Sequence, residues 1–136
     1  MILKLSELES LYYELNGITL QGNEPKILLQ GILKQKMSLK LKVYLQRLNN
    51  VIGEDIKLYE EARKELFKKY GNEVDGTISI PNDKIADFNK DHGELLSTEK
   101  NIDTTNLWGT DFAIDKLENI ETDEFYPVLF KLIESK

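Results

Sequence analysis

The side chains in this sequence that could do chemistry are few. His92 is the only histidine among 136 residues, and there is no cysteine. Clusters of histidine or cysteine around a metal, disulfides and thiol catalysis are therefore excluded. As a general base, His92 would need a reacting group within hydrogen-bond reach, and the sequence identifies none. Its spacing from Phe88 and Leu96 places all three on one helical face, which predicts a packing role at the edge of the core.

Paired carboxylates are the other catalytic candidates. Six acids lie close together near the C-terminus: Asp111, Asp115, Glu118, Glu121, Asp123 and Glu124. Acidic surface clusters are common, so a solvated face is the favoured interpretation. The turn at Asp75 and Gly76 does not fit a calcium loop, because Gly71 and Asn82 occupy its first and last ligand positions. No phosphate-binding glycine motif or nucleophile elbow is present. We therefore predict a protein that is not an enzyme and uses no metal or cofactor.

A basic segment, residues 26–47, is the strongest chemical feature. It has six basic residues and no acidic one. Five of the basic residues could contact the phosphates of a nucleic acid while the Tyr44 ring stacks on a nucleobase. A pI of about 4.9 is unfavourable for a nucleic-acid binder, and an acidic patch on a protein fits the same side chains. The candidate interaction surface consists of Lys34, Lys36, Lys40, Lys42, Tyr44 and Arg47.

Charge is spread unevenly along the chain. The net charge is −6, yet residues 71–136 carry 15 acids and 6 bases, a balance of −9. The basic segment and the acidic half either lie near each other in one molecule, which we favour, or meet between copies.

These residues are positioned by one predicted long helix. In residues 38–71, apolar side chains recur at steps of three or four on one face: Leu41, Leu45, Leu48, Ile52, Ile56, Tyr59, Ala62, Leu66 and Tyr70. Ser38 is a suitable N-cap, and Gly71 stands where a left-handed residue would end the helix. Gly53 could instead begin a second helix, but the unbroken spacing favours one.

Shorter elements are predicted around this helix. Residues 3–15 form a first helix with a capping box from Ser6 to Glu9, residues 18–20 an extended piece, and residues 27–35 a short helix. Residues 77–80 form a strand, which is predicted to pair with residues 107–114. Another helix, capped by Asn82, lies between these two segments in the chain. A last helix begins at residues 122–124.

The predicted fold is therefore α+β and mainly helical, in a single domain over residues 1–136. A long central helix carries shorter helices in a helical part, about 1–71. A small sheet of two or three strands lies in a mixed part, about 72–136. No apolar run approaches the roughly 20 residues that cross a bilayer, and no secretory signal is visible, so no membrane partner is expected.

Several segments together resemble a known kind of protein. They read LYYELNG, GILKQKMSLKLKVYLQRLNNVI, LYEEARKELFKKYG, VDGTISI and FNKDHGELLS. Their order is similar to a family of small uncharacterised tailed-bacteriophage proteins, in which a helix runs into K-Y-G, an acidic D-G turn and an F-N-K helix. The pair His92 and Gly93 departs from that pattern, which more often has a larger residue there. The resemblance implies a virion or assembly role and assigns no functional residues.

The expected function is thus that of a non-enzymatic phage protein that binds proteins, either its own copies or another phage component. Such a protein would be found in the host cytoplasm during infection or in the virion. One alternative is an inhibitor of a host defence or metabolic protein, and another is nucleic-acid binding through residues 26–47. A helix over residues 39–70 would be about 48 Å long, more than the diameter of a globule of this size, which predicts an oligomer that covers its far end.

Overall fold

The computed structural model describes residues 1–109 and 126–134 of the chain. The architecture is α+β and mainly helical, as the sequence predicts, with a long helix that carries the shorter ones. In chain order the elements are β1 (Ile2–Lys4), α1 (Leu5–Asn16), β2 (Gly17–Leu20), β3 (Lys26–Gln30), α2 (Leu39–Tyr70), β4 (Asn72–Val74), β5 (Thr77–Ser79), α3 (Ile85–Leu96), β6 (Glu99–Asn101) and α4 (Pro127–Glu134).

Helix α2 is continuous over 32 residues, which confirms the preferred prediction and removes the alternative start at Gly53. The Ser38 hydroxyl accepts a hydrogen bond from the N–H of Leu41 (3.2 Å), as expected of an N-cap. The prediction for Gly71 is wrong, because its φ is −93° and its backbone is extended. Glycine is needed there for close approach, since a Cβ would lie 2.5 Å from Ile78 Cγ2 and from the Phe67 carbonyl.

Helix α1 starts later than predicted. Residues 2–4 are in a strand, and Glu7 Oε1 accepts the backbone N–H of Lys4 (3.1 Å), so the predicted capping box from Ser6 is wrong. The helix ends at Asn16, before Gly17, as expected. The predicted helix over residues 27–35 is also wrong: strand β3 comes first, followed by a single 3₁₀ turn, Ile32–Lys34.

The strands form three antiparallel pairs in the described residues: β1 with β6, β2 with β3, and β4 with β5. The predicted partner of the strand near residue 77 is therefore wrong, because β5 pairs with β4 through a turn at Asp75 and Gly76. Both turn residues have positive φ, 53° and 78°, as a tight hairpin turn requires. Leu107 and Trp108 instead lie in a buried turn, and residues 110–114 of the predicted strand lie outside the described residues.

The predicted helix after Pro81 also differs in its first turn. Asn82 opens a 3₁₀ turn, Asn82–Lys84, and α3 follows from Ile85 and runs through Gly93. For the last helix, the predicted start at residues 122–124 lies outside the described residues. Pro127 is the first residue of α4, where a missing N–H costs nothing.

One hydrophobic core joins α1, α4 and the part of α2 over residues 39–59. Its fully buried members, each below 2% exposed, include Leu3, Leu8, Leu11, Leu15, Leu45, Leu48, Ile52, Ile102, Tyr126, Leu129 and Leu132. Glu14 lies among them at 4% exposure, and its carboxylate accepts the backbone N–H groups of Val128 (3.3 Å) and Leu129 (3.0 Å). A side chain of α1 thus caps the beginning of α4.

The remaining part of α2, residues 60–70, has no buried residue. Its apolar face is partly covered by α3, whose own residues are at most half-buried. The residues of the β4–β5 hairpin that follows are all exposed. Part of the surface for which the sequence predicted a second chain is therefore covered by this chain. In the described residues no helix is long and apolar enough to span a membrane.

Candidate functional site

The predicted basic surface is divided by the fold. Lys34 lies in the 3₁₀ turn and Lys36 between that turn and α2, and both are exposed. Lys40, Tyr44 and Arg47 follow on α2 at spacings of four and three, so they share one side of the helix. Lys42 is two positions from Lys40, about 200° around the helix, and so points away from that side. The six residues do not form one continuous patch.

The three residues that share a side already contact the protein. The Lys40 ammonium lies 6.0 Å and the Arg47 guanidinium 5.8 Å from the centre of the Tyr44 ring. Arg47 Nη1 donates to the carbonyl oxygen of Leu107 (3.1 Å), and Tyr44 is half-buried against the core. Much of this side of α2 therefore serves to hold the helix on the turn at Leu107. An aromatic ring in this position is poorly available to stack on a nucleic-acid base.

The β2–β3 hairpin is a surface that sequence reasoning found only in part: residues 18–20 were predicted to be extended, as β2 is, but β3 was not predicted to be a strand. Every residue from 19 to 28 is exposed. Three of them are large and apolar: Ile27 is 64% exposed, Leu20 54% and Leu28 51%. The available signal was the short apolar run bounded by Pro25 and Gly31, which indicates a strand as readily as a helix.

The base of this hairpin is fixed to the core. A Cβ on Gly31 would lie 2.4–2.6 Å from backbone atoms of residues 15–17, and Gly17 has a φ of 88°, so glycine is needed at both positions. The Tyr126 hydroxyl donates to the carbonyl oxygen of Gln30 (2.8 Å). Leu29 packs partly on the core. The end of the hairpin away from this base is thus exposed on a rigid support.

The pairing within the hairpin is irregular. Ile18 pairs with Leu29 and Thr19 with Ile27, so Leu28 is an extra residue, a β-bulge. Across the bulge the apolar side chains of β3 do not all face the core. In the described part of the chain, β3 pairs with β2 and with no other strand. Among the residues that the structure describes, the other edge of this apolar strand is therefore unpaired.

His92 lies at the edge of the core, where its spacing predicts it. Its Nε2 is 3.0 Å from the Tyr59 hydroxyl, and its ring is stacked with Tyr59 and tilted against Phe88 (ring centres 6.2 and 5.7 Å apart). Burial, and then the negative charge of Glu9, raise the pKa of Tyr59. Tyr59 is therefore a neutral hydrogen-bonding group at physiological pH and a poor nucleophile.

Other predicted chemistry can be located only in part. The six C-terminal acids, from Asp111 to Glu124, lie outside the described residues. Within residues 1–109 and 126–134, no three His, Asp or Glu side chains lie together as a metal site would need. A recess of about 280 Å³ on α2 is lined by Glu60, Arg63, Lys64 and Phe67, and its mixed charges indicate no particular ligand.

Comparisons of the chain with family models, with curated proteins and with solved structures found no match.

Proposed function

We propose that this protein acts by binding another protein, without catalysing a reaction, and that the β2–β3 hairpin is its binding surface. The observation that supports this is the exposure of Leu20, Ile27 and Leu28 on one hairpin, where the register places Leu20 and Ile27 on opposite faces. A soluble monomer rarely groups large apolar side chains on an exposed strand, because such strands associate. Partners commonly cover surfaces of this kind.

The energetic argument favours a protein as the ligand. Full burial of one aliphatic side chain, such as Ile27 or Leu28, contributes about 1.5–3 kcal/mol to the free energy of binding. Part of this free energy offsets the loss of translational and rotational entropy on association, which costs several kcal/mol. Nucleic acid offers little apolar surface to this strand. The basic residues next to it would mainly select the partner and speed its approach.

The resemblance to small tailed-phage proteins supports the setting that we propose. There the partner is a phage component in the virion or its assembly, and the chain is made in the host cytoplasm. Mass spectrometry of purified particles would test this setting separately. A fixed copy number per particle supports it, whereas absence from particles together with a host-protein complex favours the inhibitor alternative.

Site-specific photocrosslinking tests the binding surface. A photoreactive benzoylphenylalanine replaces Leu28 on β3 or, as the control, Leu58 on α2, which is also exposed (63%). In the cells that make the protein, we expect one defined protein to crosslink from position 28 and not from position 58. Equal crosslinking from both positions, or none from position 28, contradicts the proposal.

Nucleic-acid binding is the rival, because the cations of Lys40 and Arg47 lie on one side of α2, where they could contact phosphates without stacking by Tyr44. If it is correct, Lys40→Gln flattens the salt dependence of DNA or RNA binding by about one log–log unit, and Lys42→Gln, on another side of the helix, does not. No binding of the unchanged protein to either nucleic acid at low salt ends this rival.

A further inference from the structure

The open edge of β3 indicates how a partner would bind, and this step rests on the proposed function. A strand that is paired on one side presents unpaired backbone N–H and C=O groups on the other. An extended segment of another protein can pair with those groups and become a third strand. This mode uses the strand's exposed backbone and its apolar side chains together.

The limits of β3 set the length of such a segment. The strand has five residues, Lys26–Gln30. Pro25 precedes it and has no backbone N–H, so the hydrogen-bonded ladder cannot extend that way. At the other end, the Tyr126 hydroxyl already donates to the Gln30 carbonyl, and Gly31 packs against the end of α1. The added strand would therefore pair over about five residues.

The lysines near the two ends of β3 favour acidic residues at the ends of that segment. Lys26 is exposed at one end of β3, where the exposed Glu24 also lies two residues earlier. Lys34 and Lys36, which follow the other end in the chain, are exposed as well. No acidic residue occurs between Pro25 and Gly53. A second β3 strand would bring these lysines near the same lysines of its partner, which is unfavourable. Acidic side chains at both ends of an added strand are attracted instead.

We propose that the outer edge of β3 binds an extended segment of a partner protein as an added strand of about five residues, apolar in its middle and acidic at both ends. The Ile27 and Leu28 side chains contact the apolar middle of the segment. Lys26 at one end, and Lys34 and Lys36 at the other, contact its acids. Strand β2 is a weaker candidate, because Leu20 is its only large exposed apolar residue.

A synthetic peptide tests this directly with the full chain. The probe has about seven residues, with glutamate at both ends, alternating valine and threonine between them, and blocked termini. Two control peptides keep its length: one is N-methylated at alternate residues, which removes ladder donors, and one has lysine in place of glutamate. Fluorescence anisotropy gives the affinity, and amide NMR shifts give the site.

We expect the largest amide shifts at residues 27–29 and at least about tenfold weaker binding of both control peptides. Ile27→Glu should weaken binding of the probe by about tenfold or more, whereas Leu58→Glu, at an equally exposed position, should not. The fold of each variant is checked by circular dichroism. Ile27 is exposed, so the substitution should leave the fold intact.

The inference is overturned if the probe does not bind, if either N-methylation or lysine in place of glutamate fails to weaken binding, or if the shifts centre on β2 or α2. A dimer that Ile27→Glu dissociates would also overturn it, because β3 then pairs with a second copy. If position 28 still crosslinks to a protein while the peptides fail, the proposed function stands and only the added strand is rejected. If position 28 crosslinks to nothing, both are rejected.

Discussion

The two parts of α2 carry the same apolar spacing but are buried to different depths. In residues 39–59 the face with Leu45, Leu48 and Ile52 is completely buried. In residues 60–70 the same face continues through Leu66 and Tyr70, which are only half-buried. Helical spacing therefore identifies the side that faces the protein, and the number of elements packed on that side decides how deeply it is buried.

The packing partners explain this difference. Residues 39–59 are covered by core residues of α1, of α4 and of the turn at Trp108. Residues 60–70 pack against α3, which contributes no buried side chain. Contacts here are between rings and charges, such as Phe67 with Phe88 (ring centres 5.2 Å apart) and Lys69 with Asp91 (3.3 Å). Such contacts contribute less than full burial of a leucine.

The largest effect is expected from a pair of leucine-to-alanine substitutions in α2, one in each part of the helix. Leu48→Ala should lower the free energy of unfolding by about 2–5 kcal/mol, because it removes a fully buried side chain and leaves a cavity. Leu66→Ala should cost only about 1 kcal/mol, because solvent already reaches that side chain. Denaturant unfolding gives both values, provided that the slope of the unfolding free energy against denaturant concentration is the same in both variants. Equal losses at the two positions would show that residues 60–70 are as well packed as the core.

A smaller loss is expected when the cap on α4 is removed. Glu14→Ala leaves the N–H groups of Val128 and Leu129 without their acceptor, and the second of these bonds is buried. An unsatisfied buried donor costs about 1–3 kcal/mol. Unfolding measured in denaturant should show this loss, with Ser10→Ala, on an exposed face of α1, as the control. A loss no larger than that of the control would mean that α4 does not depend on this contact.

Residues with a local signature were predictable, and those placed by distant partners were not. Ser38 and the continuous spacing of α2 act within one helix, so the sequence is sufficient to place them. Strand β1 pairs with β6 almost a hundred residues away, and no local pattern encodes that contact. Strand β3 was missed because its three apolar residues, Ile27, Leu28 and Leu29, suit a strand or a helix equally well.

The candidate site was predictable in its charges and not in its geometry. Counting lysines correctly located a basic segment, but it could not show that Lys42 points away from Lys40 or that Arg47 donates to Leu107. The exposed apolar residues of β3 became visible only once their strand was known. A helix over residues 27–35 would have buried Ile27, which is 64% exposed.

Two acids, Glu14 in the core and Asp91 of α3, should change the stability of the fold in opposite directions as the pH falls. Burial raises the pKa of Glu14 above its ordinary value of 4.5, and this outweighs the two backbone N–H donors that lower it. The folded protein therefore binds this proton more tightly than the unfolded chain. Stability should rise, relative to a Glu14→Gln variant, as the pH falls from neutral to about 4.5. Parallel pH profiles for the two proteins would refute this.

The smallest expected effect is at Asp91, a half-buried residue of α3 that contacts the end of α2. The Tyr70 hydroxyl donates to its carboxylate (2.5 Å), and this bond, followed by that from Lys69, holds the pKa of Asp91 below its ordinary value of 3.8. A lowered pKa means that the unfolded chain binds the proton more tightly. The contribution of Asp91 to stability is therefore complete above about pH 3.8 and is lost as the pH falls through its lower folded value.

Unfolding of the protein and of Asp91→Asn, measured from neutral pH downward, tests this. The difference in stability between them should be constant near neutral pH and shrink only in the acid range, opposite to the trend at Glu14. The matched control is the same substitution in a Tyr70→Phe protein, which lacks the donating hydroxyl and should show less narrowing. If the difference for Asp91→Asn does not shrink, its carboxylate is not held by Tyr70 in solution. The end of α2 would then depend on its ring contacts alone.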